Sequence, residues 1–362
     1  MILDLLSRAV GPAVVVLLLA LTVVVSFFGY DVPAWLWWMD ALSLGGALLG
    51  YSIRHHLLVY FAKRFVEALF VLFVIASATF LLLRIIPGGP FDRDKALPPE
   101  VIKNIEAKYN LDAPLYEQYF QYMAGLARGD LGESYKYIGR NVTTIIGEAL
   151  PASFQLGFYS LILAFLVGIP LGVFAASKHN TWWDSLAMFG AISGVSLPNF
   201  LVGPILILIF CFSLDLLPPA FWEGPEYYIL PVITLGLRPA AVIARLTRAN
   251  VLDVISADYI RTAKAKGLGW PMVLFKHVLK NSLIPVLTFS GPLAAGILSG
   301  SFVIELIFNI PGIGKHFVES VSNRDYPLIL GVTLVFSAML VLANLIVDLL
   351  YSYFDPRIDL TK

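Results

Sequence analysis

The sequence predicts an all-α integral membrane protein, and three observations carry that prediction. First, 58% of the 362 residues are hydrophobic and only 14% are charged, where a soluble domain carries roughly 25% charged residues. Mean hydropathy is +0.80. Second, the apolar residues fall into long runs. A span needs about 20 of them, and eight runs qualify: 10–29, 33–52, 65–86, 152–176, 183–213, 227–246, 282–305 and 327–350. Third, the formal net charge of zero hides a segregation. Segment 245–280 carries net +5 and segment 87–150 net −2. The excess of Lys and Arg places 245–280 in the cytosol.

The elements follow in order. The run 10–29 reads as a retained span rather than a signal peptide: its apolar core is long, Asp4 precedes it, and no A-x-A site follows. Trp35, Trp37 and Trp38 read as an interfacial aromatic belt. Counting spans back from 245–280 leaves both termini, Arg54, Lys63, Arg64 and Lys178 inside. The same count puts 87–150, 214–226 and 306–326 outside. The segment 87–150 is long enough to fold, with one helix expected over 100–109 and an amphipathic, Tyr-rich helix starting at Leu115. Gly291, Gly296 and Gly300 allow close helix packing, read mainly as packing against a partner.

Catalytic and metal chemistry find no residues to carry them. No G-x-x-x-x-G-K-[ST] occurs, and Gly312-Ile-Gly314-Lys315 lacks its spacing. His55 and His56 sit beside Arg54 at a span end, while His179, His277 and His316 fall in three different loops. The single Cys211 excludes a disulfide framework and reads as a small hydrophobe. Nothing suggests nucleic-acid binding. A self-sufficient channel or ion-driven transporter would need paired ionisable residues inside spans. Only Arg238 is central, with Asp184 and Asp348 near span ends.

Arg238 lies about nine residues into its span, near the membrane midplane. An intramembrane arginine points to a pathway residue with a partner, here one that meets substrate carboxylates. The competing reading is a snorkelling or carboxylate-paired arginine. Glu305 sits near a span end and reads as structurally paired.

The densest signal is the polar, basic loop 256–271. It contains Asp258, Tyr259, Arg261, Thr262, Ala263, Lys264, Ala265, Lys266 and Gly267. Ala263, Ala265 and Gly267 suggest a face with little bulk, which a partner surface could approach closely. Gly267 and Gly269 permit a sharp turn, and Pro271 can open a second helix.

This loop resembles the EAA coupling loop of membrane subunits of binding-protein-dependent ABC importers, in the form found in the oligopeptide/dipeptide permease family. Further signatures stand in register over residues 58–359. They are Arg84-Ile-Ile-Pro-Gly-Gly-Pro90, Tyr109 to Tyr119, Gly129-Asp-Leu-Gly-Glu-Ser134, and Ala244-Arg-Leu-Thr-Arg-Ala249. Ile307 to Gly314, Asn323-Arg-Asp-Tyr-Pro327 and Phe354-Asp-Pro-Arg357 complete the set. The chain is similar to the B-type permease of a peptide importer. That resemblance implies a six-span, type I ABC importer permease core, 58–359, with a folded extracytoplasmic segment at 87–150. Two extra N-terminal spans in residues 1–57 are foreign to the family. Glu-Ala-Ala is also missing, with Arg261-Thr262-Ala263 in its register.

The resemblance further implies a non-catalytic subunit in a bacterial or archaeal cytoplasmic membrane. Its partners would be a second permease, two ATP-binding subunits and an extracytoplasmic peptide-binding protein, with ATP and Mg on the ATPases and no cofactor on this chain. Nickel, glutathione or another small solute remain alternative cargoes.

Overall fold

The computed structural model describes residues 57–86, 107–298 and 301–354. Both N-terminal spans, residues 100–106 of the expected 100–109 helix, Pro87–Pro90, Gly300 and the Asp-Pro-Arg motif at 355–357 lie outside the described residues.

The chain divides into two compact units. One comprises Met1–Leu69 and Arg357–Lys362. Its described part is the start of helix α1 (Leu57–Ile85), where Arg64 and Glu67 pair one turn apart at 3.6 Å. The other unit, Phe70–Pro356, holds everything below.

Helix follows helix in this unit: α2 (Leu115–Ala127), α3 (Val142–Ser177), α4 (Trp182–Ser196) and α5 (Asn199–Ile207), which continues as a π-helical turn to Ser213. Then come α6 (Pro225–Ile255), α7 (Asp258–Ala265) and α8 (Trp270–Val273), the last continuing through a second π-helical turn, Leu274–Val278. Finally come α9 (Leu279–Leu298), α10 (Phe302–Ile307), α11 (Ile313–Asn323) and α12 (Tyr326–Phe354). Among the described residues α1, α3, α6, the α8–α9 run and α12 are each long and apolar enough to cross a membrane.

The expected span 183–213 is where the structure differs. It is not one straight helix but α4 and α5 bent by 105°. Proline explains the break. The residue before Pro198 is pushed out of the helical region, and Leu197 has φ −85° and ψ 125°. Neither half alone is long enough to span.

Helices α3 and α6 form the centre of the bundle. Small residues let their backbones touch: a Cβ on Gly168 would sit 2.6 Å from the Ala240 carbonyl oxygen, and one on Gly172 would collide with Ala244 and Thr247. This is the small-residue packing of membrane helices. Prolines 151, 170, 231 and 239 lie inside α3 and α6, as membrane helices tolerate.

At one end of the bundle, called here the cap end, two buried carboxylates tie loops to helices. Asp325 accepts hydrogen bonds from the Ser134 hydroxyl and from the amides of Tyr135 (3.1 Å), Lys136 (3.3 Å) and Leu328 (3.4 Å). The 133–141 loop is thereby pinned to the start of α12. Glu305, fully buried in α10, accepts the Gly314 amide at 2.7 Å at the start of α11. Beside it, Ser153 accepts the Ile313 amide at 2.8 Å. The expected structural pairing of Glu305 is present, with backbone donors in place of a cation.

Candidate functional site

The opposite end carries the basic loops. Here α7 is short, and two turns connect it: Ser256–Ala257 to α6 and Lys266–Gly269 to α8. Gly267 has φ +79°, a left-handed conformation that suits glycine just past a helix end, and its amide donates to the Lys264 carbonyl at 3.0 Å. Pro271 then sits in the first turn of α8, where its missing amide costs nothing. The elbow read from Gly267, Gly269 and Pro271 is therefore present.

What holds α7 in place is apolar. Ile260 and Ala263 are buried with Ala176, Val251, Val273 and Val278, from the ends of α3, α6 and the α8 segment. One face of α7 is thus sealed to its own bundle. Asn281 adds a hydrogen bond to the Tyr259 hydroxyl at 2.9 Å, and the Lys264 ammonium lies 4.9 Å from the Trp270 ring centre.

The outward face presents Asp258, Tyr259, Arg261, Thr262, Lys264, Ala265 and Lys266, all exposed. This corrects the small-residue face expected from Ala263, Ala265 and Gly267. Successive helical residues turn by about 100°, so Ala263 and Ala265 point in nearly opposite directions. Ala263 packs inward, and only Ala265 is available outside. The outward charges are weakly engaged within the chain. Arg261 and Asp258 approach only to 3.5 Å while largely exposed, a pairing of little energetic weight.

A second polar feature stands close by in sequence and was invisible to local reading. Arg248, on the last turns of α6, forks onto Asp184 in the first turn of α4, with Nε–Oδ1 2.6 Å and an Nη–Oδ2 contact of 2.7 Å. The Asn180 amide also donates to Asp184 at 3.1 Å, and His179 Nδ1 lies 3.3 Å from the guanidinium. Asp184 is nearly buried, whereas Arg248 keeps about a quarter of its side chain exposed. A bidentate fork of this kind fixes orientation as well as distance. The partners are 64 residues apart, and the sequence signalled only that both lie near span ends at the basic side.

Arg238 stands midway along α6 and is exposed. Among the described residues it makes no hydrogen bond or ion pair, so the carboxylate-paired reading does not hold within this part of the chain. Its helical neighbours on the same face are Val242, Arg245 and Ala249. The opposite face, Gly236, Ala240, Ile243 and Thr247, packs on α3. Leu237 and Ala241 meet Gly194 of α4 on one flank, and Ile243 and Leu246 pack with Val286 and Leu283 of α9 on the other. Arg238 and Arg245 therefore share one open stripe, two turns apart. From the sequence Arg245 reads only as a cytosolic charge. Its place below Arg238 was readable from the seven-residue spacing.

No group of three or more His, Cys, Asp or Glu residues capable of holding a metal occurs among the described residues. The arrangement is that of a multi-pass helical membrane protein. At one end it offers a braced, basic helix, and midway along α6 an open arginine.

Comparison with known proteins gives this class its family. Residues 168–360 match the binding-protein-dependent transport system inner membrane component family, and residues 57–156 match the N-terminal region of the same kind of membrane component. The oligopeptide transport system permease protein OppB of Haemophilus influenzae is 43% identical over 304 residues, covering 83% of this chain and 99% of that protein. The dipeptide transport system permease protein DppB of Bacillus subtilis is 45% identical over 303 residues, covering 84% and 98%. The chain belongs to the binding-protein-dependent transport system inner membrane component family. Among solved structures, an inward-facing MetNI methionine ABC transporter is similar over 59% of this chain and 97% of that one, at 15% identity and a TM-score of 0.48.

Proposed function

We propose that this chain is the permease subunit of an ATP-driven importer of peptides, and that α7 is the helix through which partner ATPases move it. The carrying observation is α7 itself: its inner face is locked to three other helical segments, while its outer face stays polar and exposed. The names of the relatives supply the cargo, oligopeptides and dipeptides.

In this reading a second permease completes a path, and two ATP-binding subunits each receive a coupling helix. An extracytoplasmic binding protein delivers the peptide to the cap end. The basic end faces the cytosol, in keeping with its excess of Lys and Arg. ATP binding and loaded binding protein both bias a two-state packing, and hydrolysis resets it. ATP and Mg act on the partner chains, and this chain's part is positional. A push on α7 reaches α3 and α6 through Ile260, Val251 and Ala176. The Asp184–Arg248 fork carries it to α4. Arg238 offers a cation to a peptide carboxylate at mid-path.

The test is uptake of labelled peptides by proteoliposomes holding the full complex. Wild type accumulates peptide only with ATP and binding protein present. The Arg238→Ala complex is expected to assemble and hydrolyse ATP while taking up peptide at least about tenfold more slowly, the factor that 1.4 kcal/mol commands. Equal uptake by Arg238→Ala would remove Arg238 from the path. Uptake without ATP would overturn the importer reading.

A further inference from the structure

The cap segment contains a helix whose surroundings change character around its circumference. On one side of α2, Tyr119 and Tyr122 pack against α1. The Tyr119 hydroxyl lies 2.7 Å from the Ser77 hydroxyl, Phe80 meets Tyr119 edge-on with ring centres 5.5 Å apart, and Phe80 stacks on Tyr122 at 5.5 Å. Tyr326, Ile329 and Leu330 from the start of α12 complete that cluster. A second side of α2 is polar. Gln118 donates to the Leu111 and Ala113 carbonyls, and Gln121 accepts from Asn110 at 3.0 Å. The third side is bare and mainly apolar: Tyr116 and Phe120 are 61% and 68% exposed, Ala124 and Ala127 continue their row, and Glu117 at its polar edge accepts from the Tyr116 hydroxyl at 3.2 Å.

Depth decides what the bare side meets. Ser77 and Phe80 lie eight and five residues inside the end of α1 at Ile85, or about 12 and 7.5 Å at 1.5 Å per residue. Beyond those contacts α1 still exposes Leu81, Leu82 and Ile85, the surface of a spanning helix that lipid covers. Thus α2 touches α1 at a level at or below side chains that belong to the hydrocarbon. A helix at that level with one polar and one bare apolar side has the pattern of an interfacial helix, apolar face in the acyl boundary and polar face in water. Tyr116 and Tyr119 suit that boundary, since tyrosine concentrates there.

We propose that α2 is a membrane-embedded interfacial helix, its Tyr116–Phe120–Ala124 row seated in the lipid leaflet at the cap end. The inference rests on the membrane reading of α1 and not on the cargo or the ATPases. The extracytoplasmic segment would then be anchored in the bilayer beside the permease, with its loops, including Ile138 at 82% exposure, turned to water.

The test places nitroxide labels by cysteine substitution in the Cys211→Ala background, with the full complex in liposomes and no binding protein added. Collision rates with oxygen, which favours hydrocarbon, and with a nickel chelate, which favours water, are compared. Phe120→Cys and Ala124→Cys are expected to match Ile85→Cys, with an oxygen-to-nickel ratio severalfold above that of Ile138→Cys. Gln121→Cys is expected on the watery side. Nickel-dominated collisions at both Phe120 and Ala124 would overturn the proposal, because the row would face water. Low collision rates with both reagents would overturn it as well, because a protein partner would cover the row.

Discussion

The cap loops and α7 solve opposite problems with opposite chemistry. At the cap end, buried carboxylates hold the loops: Asp325 gathers four donors and Glu305 seats a helix start. At the basic end α7 is anchored by apolar side chains and its polar ones stand outward, while the nearly buried Asp184 locks α4 to α6 nearby. The difference teaches where each end keeps its freedom. A buried, multiply bonded carboxylate has one low-energy arrangement, because every alternative strands a donor. A helix held by an apolar seam leaves its charges for another molecule. The cap loops are therefore built to stay in one form, and α7 to receive a partner.

The largest effect that would break this contrast is on stability at the cap. Asp325→Ala strands several buried donors and is expected to cost roughly 3 kcal/mol or more, read as a lower unfolding midpoint in detergent. Asp325→Asn, which keeps an acceptor, should recover part of the loss. An unchanged midpoint in Asp325→Ala would mean that the cap carboxylate is not structural.

A smaller effect is expected at the Asp184–Arg248 fork. Either Asp184→Asn or Arg248→Gln should cost about 1.5–3 kcal/mol, the range of charge-assisted bonds, and uptake should fall more than stability. The double variant should cost little more than either single one, since both remove the same interaction. Additive losses would separate the two residues.

The smallest effect is a pH dependence at the cap. His316 lies against Tyr137 with ring centres 6.0 Å apart, and burial pushes its pKa below the usual histidine value, with nearby Glu319 and Glu148 raising it and Lys315 and Arg140 lowering it. Folding then favours the neutral ring. The stabilisation is fully present above the ordinary histidine pKa and is lost as pH falls through the depressed one. His316→Gln should flatten the unfolding midpoint below about pH 6.5, and an identical pH profile would remove His316 from that account.

Much of this was legible in the sequence, because the governing signals are local. Length and apolarity marked α3, α6, α9 and α12, and Gly267 with Pro271 marked the elbow after α7. Arg238 stood out because a charge inside an apolar run is rare. What stayed hidden depended on angle or on distant contact. The Pro198 break looked like one span because apolar residues continue on both sides. Ala263 looked available because its smallness was visible and the surface it packs on was not. Asp184 and Arg248, or Ser134 and Asp325 at a separation of 191 residues, become partners only once the helices are placed.

The central claim is that the outer face of α7 passes force to the bundle without serving its stability. The most direct measurement is peptide taken up per ATP hydrolysed by proteoliposomes carrying the Arg261→Glu, Lys266→Glu double variant beside wild type. Surface changes of this kind usually alter stability by no more than about 0.5 kcal/mol. The account predicts a protein inserted at wild-type levels, with an unchanged unfolding midpoint and uptake per ATP largely lost. Wild-type uptake per ATP in the double variant would contradict it.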